Sequence, residues 1–131
     1  MIETKAYFPV LIVDDLAECK KFFTEVFGFD VAFDTDWYVH LVLGGVAQLG
    51  FLVPNHPSQP ADAQRAFNAQ GLIYSFEVEN VDSAFESVRG HAEIIAPPKT
   101  EEWGQRHFLV SAPGGLLVDV IQNVDSSLDA T

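Results

Sequence analysis

Val10-Leu11-Ile12-Val13-Asp14-Asp15-Leu16-Ala17-Glu18 joins the end of an apolar run to the start of a helix, and it decides how the rest is read. Ala6 to Val13 is apolar almost throughout and of strand length, consistent with a strand buried on both faces. Pro9 has no N–H to donate, so the strand either lies at a sheet edge or starts after it. Asp15, with Glu18 three residues on, is a variant of the capping box that opens helices. Leu16, Cys19, Phe23 and Val26 then share one helical face, with Lys20 and Glu25 elsewhere, and Gly28 is a natural stop. Strand-like stretches follow at Phe29–Phe33, Tyr38–Leu43 and Val46–Val53, the last two joined by Gly44-Gly45.

The same order then returns. Val78-Glu79-Asn80-Val81 lines up with Val13-Asp14-Asp15-Leu16. Leu72–Val78 reads as a strand, Asn80 caps a helix carrying Val81, Ala84, Phe85 and Val88 inward, and Gly90 stops it. Ala92–Ala96, Arg106–Ser111 and Leu116–Gln122 read as strands, with Pro113-Gly114-Gly115 as the final turn. Trp37 and Trp103 each precede a strand, a Gly-Gly turn and an apolar strand. Short α+β chains share such punctuation by chance, but caps, stops and turns in matched order favour duplication. The expected fold is therefore α+β: two tandem βαβββ modules. One domain spans 1–131, with module one at about 5–54, a linker at about 55–70, module two at about 71–124 and a frayed polar tail at 125–131. Within the linker, Ala61–Ala69 reads as a short helix.

A chain of 131 residues, 48% hydrophobic and with eleven Phe, is long and apolar enough to bury a core as one domain. Its net charge of −12, with seven Lys and Arg, excludes a nucleic-acid partner. An acidic surface favours solubility, and it also concentrates a cationic ligand if there is one. No apolar stretch is long enough to span a membrane, and Met1-Ile2-Glu3-Thr4-Lys5 is unlike a secretory signal. The single Cys19 has no internal disulfide partner, which fits a cytoplasmic location. On the inward face of its helix it reads as packing rather than as a nucleophile. Gly44-Gly45 and Gly114-Gly115 are hairpin turns rather than phosphate loops, and no serine sits in a nucleophile elbow.

Four stretches carry a family resemblance: Val10 to Leu16, Phe27-Gly28-Phe29, Trp103-Gly104-Gln105-Arg106-His107-Phe108, and Pro113 to Gln122. Over nearly the whole chain they resemble the vicinal oxygen chelate superfamily, shared by glyoxalase I, ring-cleaving dioxygenases and bleomycin-resistance proteins, which implies that the two modules form a curved mixed sheet around a cleft. Glu102-Trp103-Gly104, seven residues before Ala112-Pro113, together with Ile121-Gln122-Asn123, is similar to the bleomycin-resistance branch. That resemblance implies a homodimer that sequesters a bulky small molecule without catalysis. The usual Asp-Pro-Asp-Gly turn is replaced by Ala112-Pro113-Gly114-Gly115, where glycine still supplies a positive φ.

The resemblance also implies where a divalent ion would be held, and those positions fall on Phe8, Gln48 (with Gly50 the alternative), Ile73 and Asp119. Only Asp119 retains a carboxylate, and one carboxylate does not replace an ion's hydration shell. No metal or cofactor is therefore expected. His40 and His107, in nearly equivalent places of the two repeats, would have to join Asp119 to rebuild a site, and no His-x-His or Glu-x-x-His spacing supports that. Lone strand histidines are more often hydrogen-bonded structural groups.

The candidate ligand-binding residues are Trp37, His40, Gln48, Trp103, Arg106, His107 and Asp119, with no catalytic residue. Phe51 and Phe108 read as core. Trp37 and Trp103 stay open between packing and a flat surface for a ligand. Arg106 reads as pairing with a carboxylate such as Asp119, or as touching ligand. The leading expectation is a metal-independent binder of an aromatic or cationic small molecule. The alternative is a metal-dependent lyase, isomerase or dioxygenase with displaced ligands, and a structural or regulatory module is a third reading.

Overall fold

Asp15 caps its helix as the sequence requires: its Oδ1 accepts the Glu18 N–H at 2.9 Å, and Asn80 Oδ1 accepts the Ser83 N–H at 3.1 Å in the second repeat. The computed structural model describes residues 1–124. The element order is β1 (Val10–Ile12), α1 (Leu16–Phe27), β2 (Asp30–Asp34), β3 (Tyr38–Leu43), β4 (Ala47–Leu52), β5 (Ile73–Glu77), α2 (Val81–Val88), β6 (Glu93–Thr100), β7 (Gln105–Ser111) and β8 (Leu117–Asn123). The described residues form two compact units, one of residues 1–68 and one from residue 69 onward. Each has its own four-stranded mixed sheet, ordered β1-β4-β3-β2 and β5-β8-β7-β6. The first pair of each sheet is parallel and the others are antiparallel. This is the α+β, twice-repeated βαβββ architecture.

Side-chain alternation gives each sheet two unlike faces. In the first unit Leu11, Val39, Leu41, Leu49 and Phe51 are buried, as are Cys19 and Phe23 of α1. Phe23 is fully buried, its ring 5.6 Å from both Phe29 and Phe51. In the second unit Phe108, Val110, Val118 and Val120 are buried with Val81 and Val88 of α2, and Phe85 meets Phe108 edge-on at 5.2 Å. Truncating a buried Phe of this kind costs about 3–5 kcal/mol. The opposite faces carry Phe8, Val10, Tyr38, His40 and Gln48 in one unit, and Ile73, His107 and Asp119 in the other.

Several sequence expectations need correction. β1 is not buried on both faces: it is a short edge strand that begins after Pro9, with Val10 41% exposed. Pro9 contributes only its carbonyl, which accepts the Gly50 N–H at 3.0 Å. The helix expected over Ala61–Ala69 is a single 3₁₀ turn, Ala61–Ala63, with no side-chain cap and no buried residue to hold a longer one. β6 runs past Ala96 through Pro97-Pro98 to Thr100, which an edge strand with register shifts tolerates. Gly28 ends α1 in the left-handed conformation at φ 79, but α2 ends on Arg89 in right-handed geometry, so Gly90 is not its terminator. The tail expected at 125–131 lies outside the described residues.

Register fixes which residues correspond in the two units. The Val13 N–H donates to Leu52 O at 2.9 Å, and the Val78 N–H donates to Ile121 O at 2.8 Å. Leu52 faces Tyr38 across the ladder, whereas Ile121 faces His107. Tyr38, not His40, is therefore the counterpart of His107. Two residues earlier on β4 and β8, Gly50 is the counterpart of Asp119.

Gly50 is needed for space rather than for backbone freedom. A Cβ there would run into Tyr38 Oη and come within 3.1 Å of Val10 Cγ2. Gly50→Ala is expected to destabilise the protein by about 1–3 kcal/mol through overpacking. Adding Tyr38→Phe removes the clashing hydroxyl and should return part of that loss. Urea denaturation of the single and double variants checks this; an unchanged midpoint for Gly50→Ala would show that the tyrosine does not lie there.

Candidate functional site

On the open face of the first unit the chain turns at Thr35. Its Oγ1 accepts N–H bonds from Trp37 at 3.3 Å and Tyr38 at 2.9 Å, presenting both rings at the start of β3. Trp37 stacks on His56, with ring centroids 4.2 Å apart and planes 9° from parallel. A pocket of about 380 Å³ lies beside them, lined by Val10, Ile12, Trp37, Tyr38, Leu52, Ser58, Gln59 and Ala63. No Lys, Arg, Asp or Glu is in that wall.

A polar chain leads out of the pocket. Tyr38 Oη lies 2.8 Å from His40 Nδ1, and His40 Nε2 lies 2.7 Å from Gln48 Oε1. An amide oxygen only accepts, so Nε2–H donates to Gln48, and in the neutral ring Nδ1 accepts from the Tyr38 hydroxyl. Burial pushes the Tyr38 hydroxyl above its usual pKa, which keeps it a donor. Phe8 meets His40 edge-on at 4.5 Å. Trp37, His40 and Gln48 are thus joined through Tyr38. Sequence reasoning passed over Tyr38 and the pocket residues Ser58 and Gln59. The available signal was Tyr38 two residues before His40, on the same strand face.

The second unit carries a different arrangement. Asp119 Oδ1 lies 2.8 Å from His107 Nδ1, and Glu101 Oε2 lies 3.0 Å from His107 Nε2. Lys99 Nζ reaches the other Glu101 oxygen at 3.2 Å. With both carboxylates ionised, each ring nitrogen must carry a proton to make these bonds, which favours the imidazolium. The hydrogen bond to Glu101 raises the His107 pKa most, with Asp119 adding to it, and the Glu101 pKa is lowered by His107 and then Lys99. Trp103 is 53% exposed, its Nε1–H donating to Gln105 Oε1 at 2.9 Å and its ring 6.3 Å from His107. Arg106 points to the other side of its strand. It pairs with a carboxylate, Asp82 of α2, with Nε at 3.1 Å and Nη2 at 2.9 Å, rather than with Asp119. The guanidinium is committed to a helix–sheet pairing.

These side chains do not fit a divalent ion. Phe8 and Ile73 offer no lone pair, Gly50 has no side chain, Gln48 is bonded to His40, and Asp119 is bonded to His107. Glu101 and Asp119 sit at opposite ends of the imidazole, so they do not converge on one point. Among the described residues no group of three or more His, Cys, Asp and Glu is arranged to hold a metal ion.

The bracketed imidazolium sets a pH dependence. A raised folded-state pKa contributes stability fully below the unfolded value of 6.5, and that contribution is lost as pH rises through the folded value. The lowered Glu101 pKa contributes above 4.5 and is lost as pH falls through its folded value. His107→Gln should therefore lower the melting temperature most between pH 4.5 and 6.5, with the gap narrowing toward alkaline pH. A gap independent of pH would show that His107 is uncharged in the fold. Cys19 lies apart from both clusters, its thiol pushed up to about 12 by burial and by Glu18 and Asp15. A thiol-reactive disulfide reagent should label it only after denaturation; rapid labelling of native protein would contradict that placement.

A protein-family model, Glyoxalase/Bleomycin resistance protein/Dioxygenase superfamily, matches residues 7–120. No curated protein matches the chain. Among solved structures, a glyoxalase/bleomycin resistance protein/dioxygenase from Nocardioides superposes with a TM-score of 0.76 at 18% identity, covering 95% of this chain and 87% of the other. TioX from Micromonospora superposes at 0.74 with 21% identity, covering 92% and 99%. A protein of unknown function from Agrobacterium tumefaciens gives 0.74 at 22%, covering 94% and 97%. Likeness at these identities establishes a common fold.

Proposed function

The chain belongs to the glyoxalase/bleomycin resistance protein/dioxygenase superfamily, and we propose that within it this protein is a metal-independent binder of planar aromatic small molecules. The observation that carries the reading is the pocket of about 380 Å³ with Trp37 and Tyr38 in an otherwise largely apolar wall. Its size falls within the usual range for small-molecule sites, and an indole face beside aliphatic walls favours a flat ring over a flexible chain. The metal-ligand positions point the same way, since their side chains are apolar, absent or already hydrogen-bonded. The reading extends to sequestration by a cytoplasmic homodimer, as in the bleomycin-resistance branch. The exposed Phe8 of the first unit and the exposed Ile73 of the second each offer apolar surface for a second copy.

Titrating the protein with a panel of planar aromatic compounds should quench tryptophan fluorescence saturably. Trp37→Ala is expected to weaken binding at least about tenfold, the loss of one stacking platform. Added zinc, nickel or manganese, or a chelator, should leave the affinity unchanged. A panel in which nothing binds would count against the reading, as would affinity that appears only with metal.

A further inference from the structure

Residues 55–64 form a strap beside the Trp37 pocket, and the strap holds itself together. Its ends meet where the Asn55 N–H donates to Gln64 O at 2.8 Å, with Asn55 left-handed at φ 61. Between them the Gln64 side chain acts as a clasp: Nε2 donates to Gln59 O at 2.7 Å and to His56 O at 3.2 Å. Because both partners are carbonyls, the orientation of the amide is fixed by chemistry. The Ser58 N–H donates to His56 Nδ1 at 3.2 Å, with Ser58 Oγ 2.7 Å from the same atom, so the imidazole that stacks on Trp37 is pinned from behind. This is the build of an Ω-loop, closed at its neck and packed by its own side chains.

The strap also supplies polar groups to an otherwise largely apolar wall. Gln59 lines the pocket, its Nε2 lies 3.4 Å from Ser58 Oγ, and its Oε1 accepts no hydrogen bond among the described residues. The wall around Trp37 therefore holds no cation, and the Gln59 Oε1 is an acceptor left without a protein donor among the described residues. An anionic ligand would find no cation there to offset its lost hydration, and one with an N–H donor would satisfy Gln59 Oε1.

From this geometry we propose that residues 55–64 are the specificity element of the site, selecting uncharged planar heteroaromatics that present an N–H donor to Gln59 Oε1. Gln64 is the positioning residue that holds Gln59 and His56 in place. The proposal rests on the reading of this pocket as the ligand site and adds which aromatics it takes.

Acridone and N-methylacridone test it, being flat, uncharged and of similar area but differing in one N–H. Calorimetry of the full chain should give a preference for acridone of about tenfold, the upper range for a neutral hydrogen bond. Gln59→Leu should close that gap. Gln64→Glu keeps the side-chain length but replaces the clasping donor with an acceptor, and it should also narrow the gap; a merely structural role would weaken both probes equally. Wild-type protein that binds both probes equally, with Trp37→Ala weakening both, would overturn the selectivity and leave the binding function standing. Absence of binding by either probe would overturn the selectivity, and failure of the whole aromatic panel would remove the binding function too.

Discussion

Phe23 is wholly buried between α1 and its sheet, meeting Phe29 and Phe51, and the rest of the first unit is arranged around that contact. Successive residues of a strand point to opposite faces, so committing Leu11, Val39, Leu41, Leu49 and Phe51 to the helix sends Val10, Tyr38, His40 and Gln48 to the other side. A slip of one residue would exchange the two sets and bury a histidine and a glutamine under α1. The chemistry on the open face thus follows from the packing on the closed one. Phe85, Phe108, Val118 and Val120 play the same part in the second unit.

Two copies of one framework carry different contents at matched stations. In the first unit a tyrosine sits where the second has His107, and glycine sits where the second has Asp119. Glycine leaves room for the phenol to lie against β4, so the polar chain Tyr38–His40–Gln48 runs along the margin of an apolar pocket. Aspartate instead demands a cation, and the imidazole supplies it, with Glu101 and Lys99 extending the ion pairs. One face has a pocket wall without a charged side chain, while the other pairs its charges with one another.

The sequence made the repeat legible because caps, stops and turns are local signals: Asp15 and Asn80, Gly28, and the paired glycines act within a few residues of themselves. It was equally informative about Phe51 and Phe108, whose burial follows from strand periodicity. Pro9 marked the edge strand, although the apolar run around it suggested burial on both faces; an edge strand packs one side only. What the sequence did not show depends on contacts across the ladder. His40 looked like the mate of His107 from spacing, but register pairs His107 with Tyr38. Arg106 looked like a partner for a carboxylate such as Asp119 or for ligand, and one step along a strand reverses the side-chain direction and delivers it to Asp82. Ser58, Gln59 and Gln64 carry no motif at all, because a strap that hydrogen-bonds to itself leaves no periodicity to read.

Where a ligand sits on the molecule is the deciding observation. Amide and indole chemical-shift mapping of isotope-labelled protein during titration with a planar aromatic compound locates it directly. Shifts concentrated at the Trp37 indole, Tyr38, Leu52, Ser58 and Gln59, and unchanged by added zinc, are the expected result. Shifts confined to the surroundings of Glu101, His107 and Asp119, or appearing only once a divalent metal is added, would contradict it.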